Sequence, residues 1–267
     1  MICFPNAKIN IGLYITGKRS DGYHAIETIF YPVPLTDALE AVKSETTSLT
    51  QTGIILKCLP EDNLVYKAYV LMSKKYNIPP LDIFLQKTIP YDAGLGGGSA
   101  DAAFMLKLIN ELCDCNIPVS ELEKLAGSIG ADCPFFIQNK PVIATGTGNI
   151  FKPSGISLKG YTIIIVKPPV AVSTKEAYSN VIPRKTDFPL DKLSSLHVGE
   201  WKNVLKNDFE QSVFSKYPVI GDIKKRLYSI GAEYAVMSGS GSSVFGLFKE
   251  DVTLPSFTDC FVWKGRL

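Results

Sequence analysis

The sequence predicts an α+β protein built from two domains. Segments typical of strands and of helices alternate in both halves of the chain, which favours layers of mixed secondary structure. Between residues 146 and 160 the chain is rich in glycine, proline and serine, as loops are. We therefore predict an N-terminal domain over residues 1–155 and a C-terminal domain over residues 156–267.

The first half opens with strand patterns and continues with capped helices. Residues Ile2–Ile15 and Ile26–Pro34 are predicted strands around a turn at 18–22. Asn63 is placed to cap a helix that runs to about Tyr76. A strand is predicted at Leu81–Ile89 and a helix at Asp101–Leu112. A capping box at Ser120–Glu123 should open a short helix that ends at Gly130, and a strand is predicted at Phe135–Ile137.

The second half begins with the isoleucine-rich segment Tyr161–Lys167, which predicts a buried strand. A second capping box at Ser173–Glu176 should start a short helix through Asn180. The spacing of isoleucine and leucine in Pro218–Ile230 is that of an amphipathic helix. Gly231 should end that helix, and strands at Glu233–Met237 and Ser243–Phe248 should flank the serine–glycine loop 238–242.

Composition excludes several classes of function. The chain has 267 residues, 46% of them hydrophobic and 20% charged, as in an ordinary globular protein. A net charge of +2 is too balanced for a protein that neutralises nucleic-acid phosphates. No apolar run has the length of a membrane span, and a motif that begins at Pro5 leaves no room for a signal peptide. We expect a cytoplasmic protein that binds small molecules rather than nucleic acid or membrane, as a monomer or a weak homodimer.

Cysteine and histidine usage predicts no metal framework. The six cysteines form no CxxC pair, and the chain has two histidines. The apolar neighbours of the cysteines suggest reduced, buried thiols in a cytosolic protein, at positions 3, 58, 113, 115, 133 and 260. His197 lies in a polar stretch and should be at the surface.

The most informative segment is the glycine-rich loop between the predicted strand at 81–89 and the helix at 101–112. Glycines at a strand-to-helix junction leave backbone N–H groups uncovered at a helix N-terminus, where phosphates bind. No lysine follows as in a Walker motif, and position 99 is not the glycine of a dinucleotide fingerprint. A glycine-rich turn without a ligand is the alternative. The predicted phosphate-binding residues are Pro90, Tyr91, Asp92, Ala93, Gly94, Leu95, Gly96, Gly97, Gly98, Ser99 and Ala100.

Several separate motifs resemble the GHMP kinase superfamily, whose members phosphorylate small alcohols. They are the string Pro5-Asn-Ala-Lys8-Ile-Asn10 and the small-residue loops 94–99, 146–149 and 238–242. Arg19-Ser-Asp-Gly-Tyr-His24 narrows the resemblance to the branch that phosphorylates a cytidylated methylerythritol in non-mevalonate isoprenoid synthesis. The resemblance spans Pro5 to Ser242, with Tyr91-Asp-Ala in place of the usual small residues before the loop. It implies an N-terminal domain like domain 2 of ribosomal protein S5 and a ferredoxin-like C-terminal domain.

The resemblance assigns the catalytic pair. Asp132 falls in the pattern Gly-Ala-Asp-x-Pro and would act as the base toward the substrate hydroxyl. Lys8 would stabilise the charge that develops on phosphoryl transfer. Without the resemblance, a turn aspartate that bonds its own backbone and a solvated strand lysine are the ordinary interpretations.

The remaining assignments concern the two substrates. Tyr23 would stack on cytosine and His24 would bond its edge, with Tyr178 on the other side of the base; packing on the core is the alternative. Asn10 would contact the polyol or diphosphate. Further contacts would be Asn63 and Lys87 to adenine or phosphate, and Ser99 to phosphate or to the Mg²⁺ that accompanies ATP.

Other functions remain open at this stage. A kinase of the same superfamily could act on mevalonate or homoserine, although the Tyr23–His24 pair argues against it. A nucleotide sensor without catalysis would have lost Asp132 or Lys8, and both are present. An RNA-binding module would rest on the S5-like fold alone, and the charge balance disfavours it.

Overall fold

The computed structural model describes residues 1–55, 59–178, 181–184 and 186–267. The strands are β1 (Ile2–Cys3), β2 (Asn6–Lys18), β3 (His24–Thr36), β4 (Ala38–Lys43), β5 (Ser48–Gly53), β6 (Leu81–Lys87), β7 (Val142–Thr145), β8 (Ile150–Pro153), β9 (Thr162–Lys167), β10 (Tyr234–Met237), β11 (Val244–Phe248) and β12 (Phe261–Arg266). The α-helices are α1 (Leu64–Lys75), α2 (Gly97–Leu112), α3 (Val119–Ile129), α4 (Phe135–Gln138), α5 (Thr174–Tyr178), α6 (Trp201–Val204), α7 (Glu210–Lys216) and α8 (Pro218–Ser229). Strands and helices mix throughout, as an α+β class requires.

The chain forms two compact units that interleave in sequence. The first unit comprises residues 1–7, 35–91 and 96–140, and the second comprises 8–34, 92–95 and 141–267. Each of these units is assembled from several separate segments, whereas the predicted boundary after residue 155 divides the chain at a single point. That boundary stays a prediction.

A four-stranded sheet and α1 to α4 make up the first unit. The strand order is β1-β4-β6-β5, with β4 antiparallel and β5 parallel to β6. Asn63 caps α1 as predicted, since its side chain accepts a hydrogen bond from the N–H of Val65 at 2.9 Å. The apolar face of α2 is buried, and that packing is the main source of its stability.

The second unit contains two sheets. One has the order β2-β3-β7-β8 and the other β10-β11-β9-β12. In the second sheet all neighbours are antiparallel and the central strand β9 is buried along most of its length. If β9 to β12 are numbered 1 to 4 along the chain, the strand order in the sheet is 2-3-1-4, which is the order of a ferredoxin-like sandwich. Helix α8 packs in the apolar core against this sheet. An irregular segment, residues 249–260, takes the place of the second crossover helix.

Three predicted elements are wrong in detail. The segment Phe135–Ile137 is helical, because a turn that starts at Cys133 continues into α4, and short buried apolar runs do not distinguish strand from helix. The capping box at 120–123 does not open α3, which starts one residue earlier after Pro118. The first predicted strand is two strands, β1 and β2, separated at Phe4–Pro5, where proline has no N–H to donate.

Two further predictions are met in part. Ser173 accepts a hydrogen bond from the N–H of Glu176 at 3.1 Å, as a capping residue should, but the predicted helix end at Asn180 lies outside the described residues. The described cysteines are free thiols; Cys133 is buried and the others are half-buried. Cys58 lies outside the described residues. His197 is exposed, as predicted.

Candidate active site

Asp132 lies in a tight turn between two helices of the first unit. Gly130 ends α3, with its N–H bonded to the carbonyl of Ala126. The N–H of Cys133 then returns to the carbonyl of Gly130 at 3.1 Å, and Pro134 begins the next helical turn. The turn leaves Asp132 half-buried, whereas Cys133 is fully buried beside it. A carboxylate held in this way has a defined position with one side toward solvent.

The glycine-rich loop ends at the N-terminus of α2, also in the first unit. Gly96 has φ 69° and ψ 18°, the left-handed conformation that glycine adopts at little cost, and it is the N-cap. The N–H of Ala100 donates to the carbonyl of Gly96 at 2.9 Å, which is the first bond of the helix. The preceding N–H groups, those of Gly97, Gly98 and Ser99, therefore have no partner within the helix. A helix end of this kind attracts anions.

The adjacent residues Gly97 and Gly98 differ in the space that is available for a side chain. A Cβ added to Gly97 would lie 2.8 Å from Cγ2 of Ile89 and 3.3 Å from Nζ of Lys87, so internal packing already excludes a side chain there. A Cβ added to Gly98 would meet only Cδ1 of Leu64 at 3.6 Å, an ordinary contact. Gly98 is exposed. Of the two positions, only Gly98 is open to a ligand from outside.

Lys87 is part of a buried ionic cluster beneath Gly97. Its ammonium contacts the carboxylate of Asp37 and lies 2.7 Å from that of Asp101, and all three side chains are at least 97% buried. Asp37 also accepts hydrogen bonds from the backbone N–H groups of Thr88 and Ile89, at 2.5 and 2.8 Å. The cluster thereby fixes the end of β6, from which the glycine loop starts.

Burial sets the proton balance of this cluster. It raises the pKa of Asp101 from 3.8 to about 8, and the neighbouring Asp37 carboxylate acts in the same direction against the attraction of Lys87. Burial alone would lower the pKa of Lys87, but the two carboxylates outweigh it and raise that pKa. Within the described part of the chain, Oδ1 of Asp101 is a buried oxygen without a hydrogen-bond partner. A proton on the Asp101 carboxyl would leave this cluster with one ammonium and one carboxylate, and therefore neutral.

Asn63 has a structural role at the start of α1. Its Oδ1 caps the helix and its Nδ2 lies 3.4 Å from Oε1 of Gln51. The side chain is 5% exposed. Contact with adenine or phosphate stays a prediction for Asn63, and the same holds for Lys87.

Lys8 lies in the second unit, on a buried stretch of β2. Its Nζ donates to Oδ1 of Asn10 at 2.5 Å and lies 4.7 Å from the ring centroid of Phe30. Lys8 is 3% exposed and Asn10 is 2% exposed. The strand therefore carries a buried cation with a hydrogen bond and a cation–π contact, not the solvated lysine that is usual on strands.

Ser238 contacts a predicted site residue, Asn10, although the sequence analysis assigns no role to Ser238 beyond its place in the loop 238–242. Its hydroxyl accepts from the backbone N–H of Asn10 at 3.1 Å and donates to the carbonyl of Gly94 at 2.8 Å. Gly94 has φ 71°, and a Cβ there would lie 1.9 Å from the carbonyl oxygen of Ser238. The amide of Asn207 holds the same loop by donating to the carbonyls of Met237 and Gly239. Contacts that span 228 residues have no local signature in the sequence.

Tyr23 and His24 lie at the beginning of β3 in the second unit. Tyr23 is 69% exposed, so its ring is available to a ligand. His24 is half-buried and stacks on Tyr178, with ring centroids 4.7 Å apart and an interplanar angle of 19°. Tyr178 in turn makes an edge contact with Phe209 at 4.8 Å. The stack covers one face of the His24 ring and leaves its edge uncovered by Tyr178.

The rest of the predicted phosphate segment is divided between core and surface. Tyr91 and Asp92 are exposed and Ser99 is half-buried. The buried members are Pro90, Ala93, Leu95 and Ala100. Since Lys8 and Asp132 belong to different units, their joint action in catalysis stays a prediction.

Comparison with known proteins decides the family. The family model "GHMP kinases N terminal domain" matches residues 63–140, and "GHMP kinases C terminal" matches residues 193–258. A protein from Parabacteroides distasonis named 4-diphosphocytidyl-2-C-methyl-D-erythritol kinase is 58% identical over 100% of both chains. A Bacteroides fragilis protein of the same name is 54% identical, again over 100% of both chains. The chain belongs to the GHMP kinase family.

Solved structures agree with this membership in the GHMP kinases. The crystal structure of a 4-(cytidine 5'-diphospho)-2C-methyl-D-erythritol kinase has a TM-score of 0.78 and 30% identity, with 92% of this chain and 90% of that chain covered. Homoserine kinase from Cytophaga hutchinsonii has a TM-score of 0.64 at 20% identity, covering 93% of this chain and 84% of that one. The second likeness shows the shared fold alone. The two matched family models lie on either side of the predicted boundary after residue 155 but do not place it.

The described ranges of the chain offer neither a cluster of metal-binding side chains nor a helix that could span a membrane. Those ranges contain no group of three or more His, Cys, Asp or Glu side chains placed to hold a metal ion. None of their helices combines the length and the apolar character that a membrane crossing demands.

Proposed function

We propose that this GHMP kinase transfers the γ-phosphoryl group of ATP to the C2 hydroxyl of 4-diphosphocytidyl-2-C-methyl-D-erythritol, a step of non-mevalonate isoprenoid synthesis. The observation that carries the proposal is the 58% identity, over the full length of both chains, with a relative of that name. The motif positions Lys8, Asp132, Tyr23 and His24 fit the same reaction. Mevalonate and homoserine kinases share the fold at 20% identity or less, which gives no support for their substrates.

Asp132 is the proposed base of this reaction. Its carboxylate would take the proton of the C2 hydroxyl as the oxygen attacks the γ-phosphorus, and the bond from that phosphorus to the β-phosphate oxygen would break to release ADP. A half-buried carboxylate in a tight turn suits this task, since it is both positioned and reachable. The buried ammonium of Lys8 would stabilise the negative charge that develops.

The N-terminus of α2 is the proposed cradle for the ATP phosphates. Three consecutive N–H groups, those of Gly97, Gly98 and Ser99, precede the first helical hydrogen bond, and Gly98 is open to solvent. Magnesium commonly keeps its waters and uses substrate phosphates, so we expect Mg²⁺ to come with ATP and to meet the Ser99 hydroxyl. Bound there, Mg²⁺ would offset charge on the phosphates.

Selection of cytosine is assigned to Tyr23 and His24. The exposed ring of Tyr23 can stack on the base, which is worth about 1–3 kcal/mol. His24, with one face against Tyr178, presents its edge for a hydrogen bond to the base. In this arrangement Tyr178 orients His24, in addition to the predicted role of closing the other side of cytosine. Asn10 is assigned to the polyol or diphosphate.

The setting of the reaction is part of the proposal. A net charge of +2 suits a protein whose partners are ATP and a cytidylated alcohol rather than nucleic acid. We place it in the cytoplasm, away from membranes, as a monomer or a weak homodimer.

The test is release of ADP with a panel of alcohols under identical conditions. The panel holds the cytidine-linked substrate, its uridine-linked analogue, mevalonate and homoserine. We expect turnover of the first and a large loss of kcat/KM for the second, because uracil offers a carbonyl where cytosine has an amino group. Equal kcat/KM for the cytidine and uridine substrates, or faster turnover of mevalonate or homoserine, would overturn the proposed specificity.

A further inference from the structure

A buried hydroxyl in the second unit controls the orientation of the Asn10 side chain. Thr28, on β3, is 0% exposed. Its Oγ1 donates to the backbone carbonyl of Gly12 and receives a hydrogen bond from Nδ2 of Asn10 at 3.1 Å. The motifs that predicted Lys8 and Asn10 did not include Thr28.

The directions of these bonds follow from the chemistry of the groups. A carbonyl oxygen can only accept, so the single hydroxyl hydrogen of Thr28 is used on Gly12. Thr28 can then only accept from Asn10, which requires the amide nitrogen of Asn10 to face Thr28. The amide oxygen of Asn10 consequently faces Lys8, 2.5 Å from its Nζ.

The opposite orientation of the amide is penalised at both ends. It would set the Asn10 oxygen against a hydroxyl oxygen that has no hydrogen left to give. It would also set an NH₂ group against the ammonium of Lys8, and both are donors. In a site as buried as this one, each unpaired group is costly, so one orientation is selected.

The backbone of Asn10 is held by Ser238, whose hydroxyl also lies 3.4 Å from Oδ1 of the Asn10 side chain. The N–H of Asn10 donates to Oγ of Ser238 at 3.1 Å, and that hydroxyl donates to the carbonyl of Gly94. The strand is therefore fixed without Thr28, and the specific effect of Thr28 is on the amide and, through it, on Lys8.

We infer that Thr28 is a positioning residue for phosphoryl transfer, which holds the Asn10 amide so that its oxygen fixes the ammonium of Lys8. The inference rests on the proposed function, because the charge that Lys8 stabilises arises in that reaction. Thr28 touches neither substrate in this role.

The kinetic test compares Thr28→Val, which has nearly the same shape but no hydroxyl, with Thr28→Ser, which keeps the hydroxyl. Displacement of a catalytic group by about 1 Å can cost 10²-fold in rate, so Thr28→Val should lower kcat by about 10- to 100-fold with the Kd for ATP unchanged. Thr28→Ser should restore most of kcat. The control Thr162→Val, at a buried strand threonine of the same unit, should retain the wild-type kcat.

Repeating the Thr28→Val substitution in an Asn10→Ala protein separates an effect on the Asn10 amide from a general loss of structure. In Asn10→Ala protein there is no amide to orient, so adding Thr28→Val should cause no further fall in kcat. Independent, multiplicative losses in the double variant would overturn the inference. So would a wild-type kcat in a folded Thr28→Val protein.

A spectroscopic readout remains informative whatever the substrate is. In protein labelled with ¹⁵N-asparagine, the Asn10 side-chain amide is assigned by the signal that disappears in Asn10→Ala. Its protons should exchange slowly with water in the wild type and in Thr28→Ser, and quickly in Thr28→Val. Unchanged exchange in Thr28→Val would overturn the role of Thr28, whereas no turnover of the cytidine-linked substrate by the wild type would overturn the proposed function instead.

Discussion

Substituting Gly98 by alanine separates phosphate binding from folding. Gly98 is exposed in the first turn of α2, and its added Cβ would make one ordinary contact, 3.6 Å from Cδ1 of Leu64. Alanine is favoured over glycine in helices by up to about 1 kcal/mol, so Gly98→Ala should fold and should not lose stability. Gly97→Ala is less useful, because its Cβ would clash with Ile89 at 2.8 Å.

The expected loss of ATP affinity follows from the hydrogen bonds at stake. The new methyl group stands where the backbone must approach a phosphate. A hydrogen bond to a charged group is worth roughly 1.5–3 kcal/mol. Since each 1.4 kcal/mol is tenfold in Kd, loss of one N–H to phosphate bond at Gly98 predicts about 10- to 150-fold weaker binding of ATP.

The assay is calorimetric titration with a non-hydrolysable ATP analogue, beside thermal unfolding of the same samples. Gly127→Ala is the matched control, since Gly127 is an exposed glycine of α3 whose added Cβ would also make one contact at 3.6 Å, with Pro134. The control should bind the analogue like the wild type. Equal affinity in Gly98→Ala and Gly127→Ala would refute a phosphate cradle at α2.

Three other predictions address the base, the ionic cluster and the nucleoside. Asp132→Asn should keep ATP affinity and lower kcat by about 10²–10⁴, the usual contribution of a positioned base, and a kcat near the wild-type value would remove Asp132 from the mechanism. Because burial raises the pKa of Asp101 from 3.8 to about 8, the folded protein holds a proton in that range that the unfolded chain has released, and the free energy of unfolding falls as pH rises. Asp101→Asn resembles the protonated acid, so its Tm should rise relative to that of the wild type as the pH increases from about 4 to 8; a Tm difference that stays constant over this range would show that Asp101 is ionised throughout it. Tyr178→Ala should raise the KM for the cytidine-linked substrate through loss of the His24 stack, whereas Tyr178→Phe should not, and equal KM values in the two variants would contradict the orienting role of Tyr178.

Periodicity predicted the long helices well because burial imposes it. In Pro218–Ser229 the buried residues Ile220, Ile223 and Leu227 are those whose spacing predicted the helix. Asn63 was also predictable as a cap, since a side-chain oxygen before an apolar helix has a local partner.

Elements decided by distant pairing were not predictable in the same way. Strand β5 is a polar segment, Ser48–Gly53, that is extended because it pairs in parallel with β6 at the edge of a sheet. The segment Phe135–Ile137 has no period that separates helix from strand, and the preceding turn decides it. In both cases the deciding contact lies outside the segment's own sequence pattern.

The site shows the same difference between residue types and their contacts. Motifs indicated Lys8, Lys87 and Asn10, but not that Lys87 is tied to two carboxylates or that Asn10 is oriented by Thr28. A threonine such as Thr28 is hard to recognise as functional from the sequence, because threonine is common in strands for other reasons. Its function becomes visible only when donors and acceptors are counted in space.

The glycines of the predicted phosphate loop are required for several different structural reasons. Gly94 is required by the approach of the Ser238 carbonyl, Gly96 by its left-handed φ of 69°, and Gly97 by packing on a neighbouring side chain. These constraints are internal and fix the loop before any ligand arrives, so little conformational entropy is left to lose on binding. None of these three constraints requires a glycine at position 98, since a Cβ there would make only an ordinary contact. A glycine that folding does not require, at a helix end that attracts anions, is the position in this loop most directly explained by a phosphate.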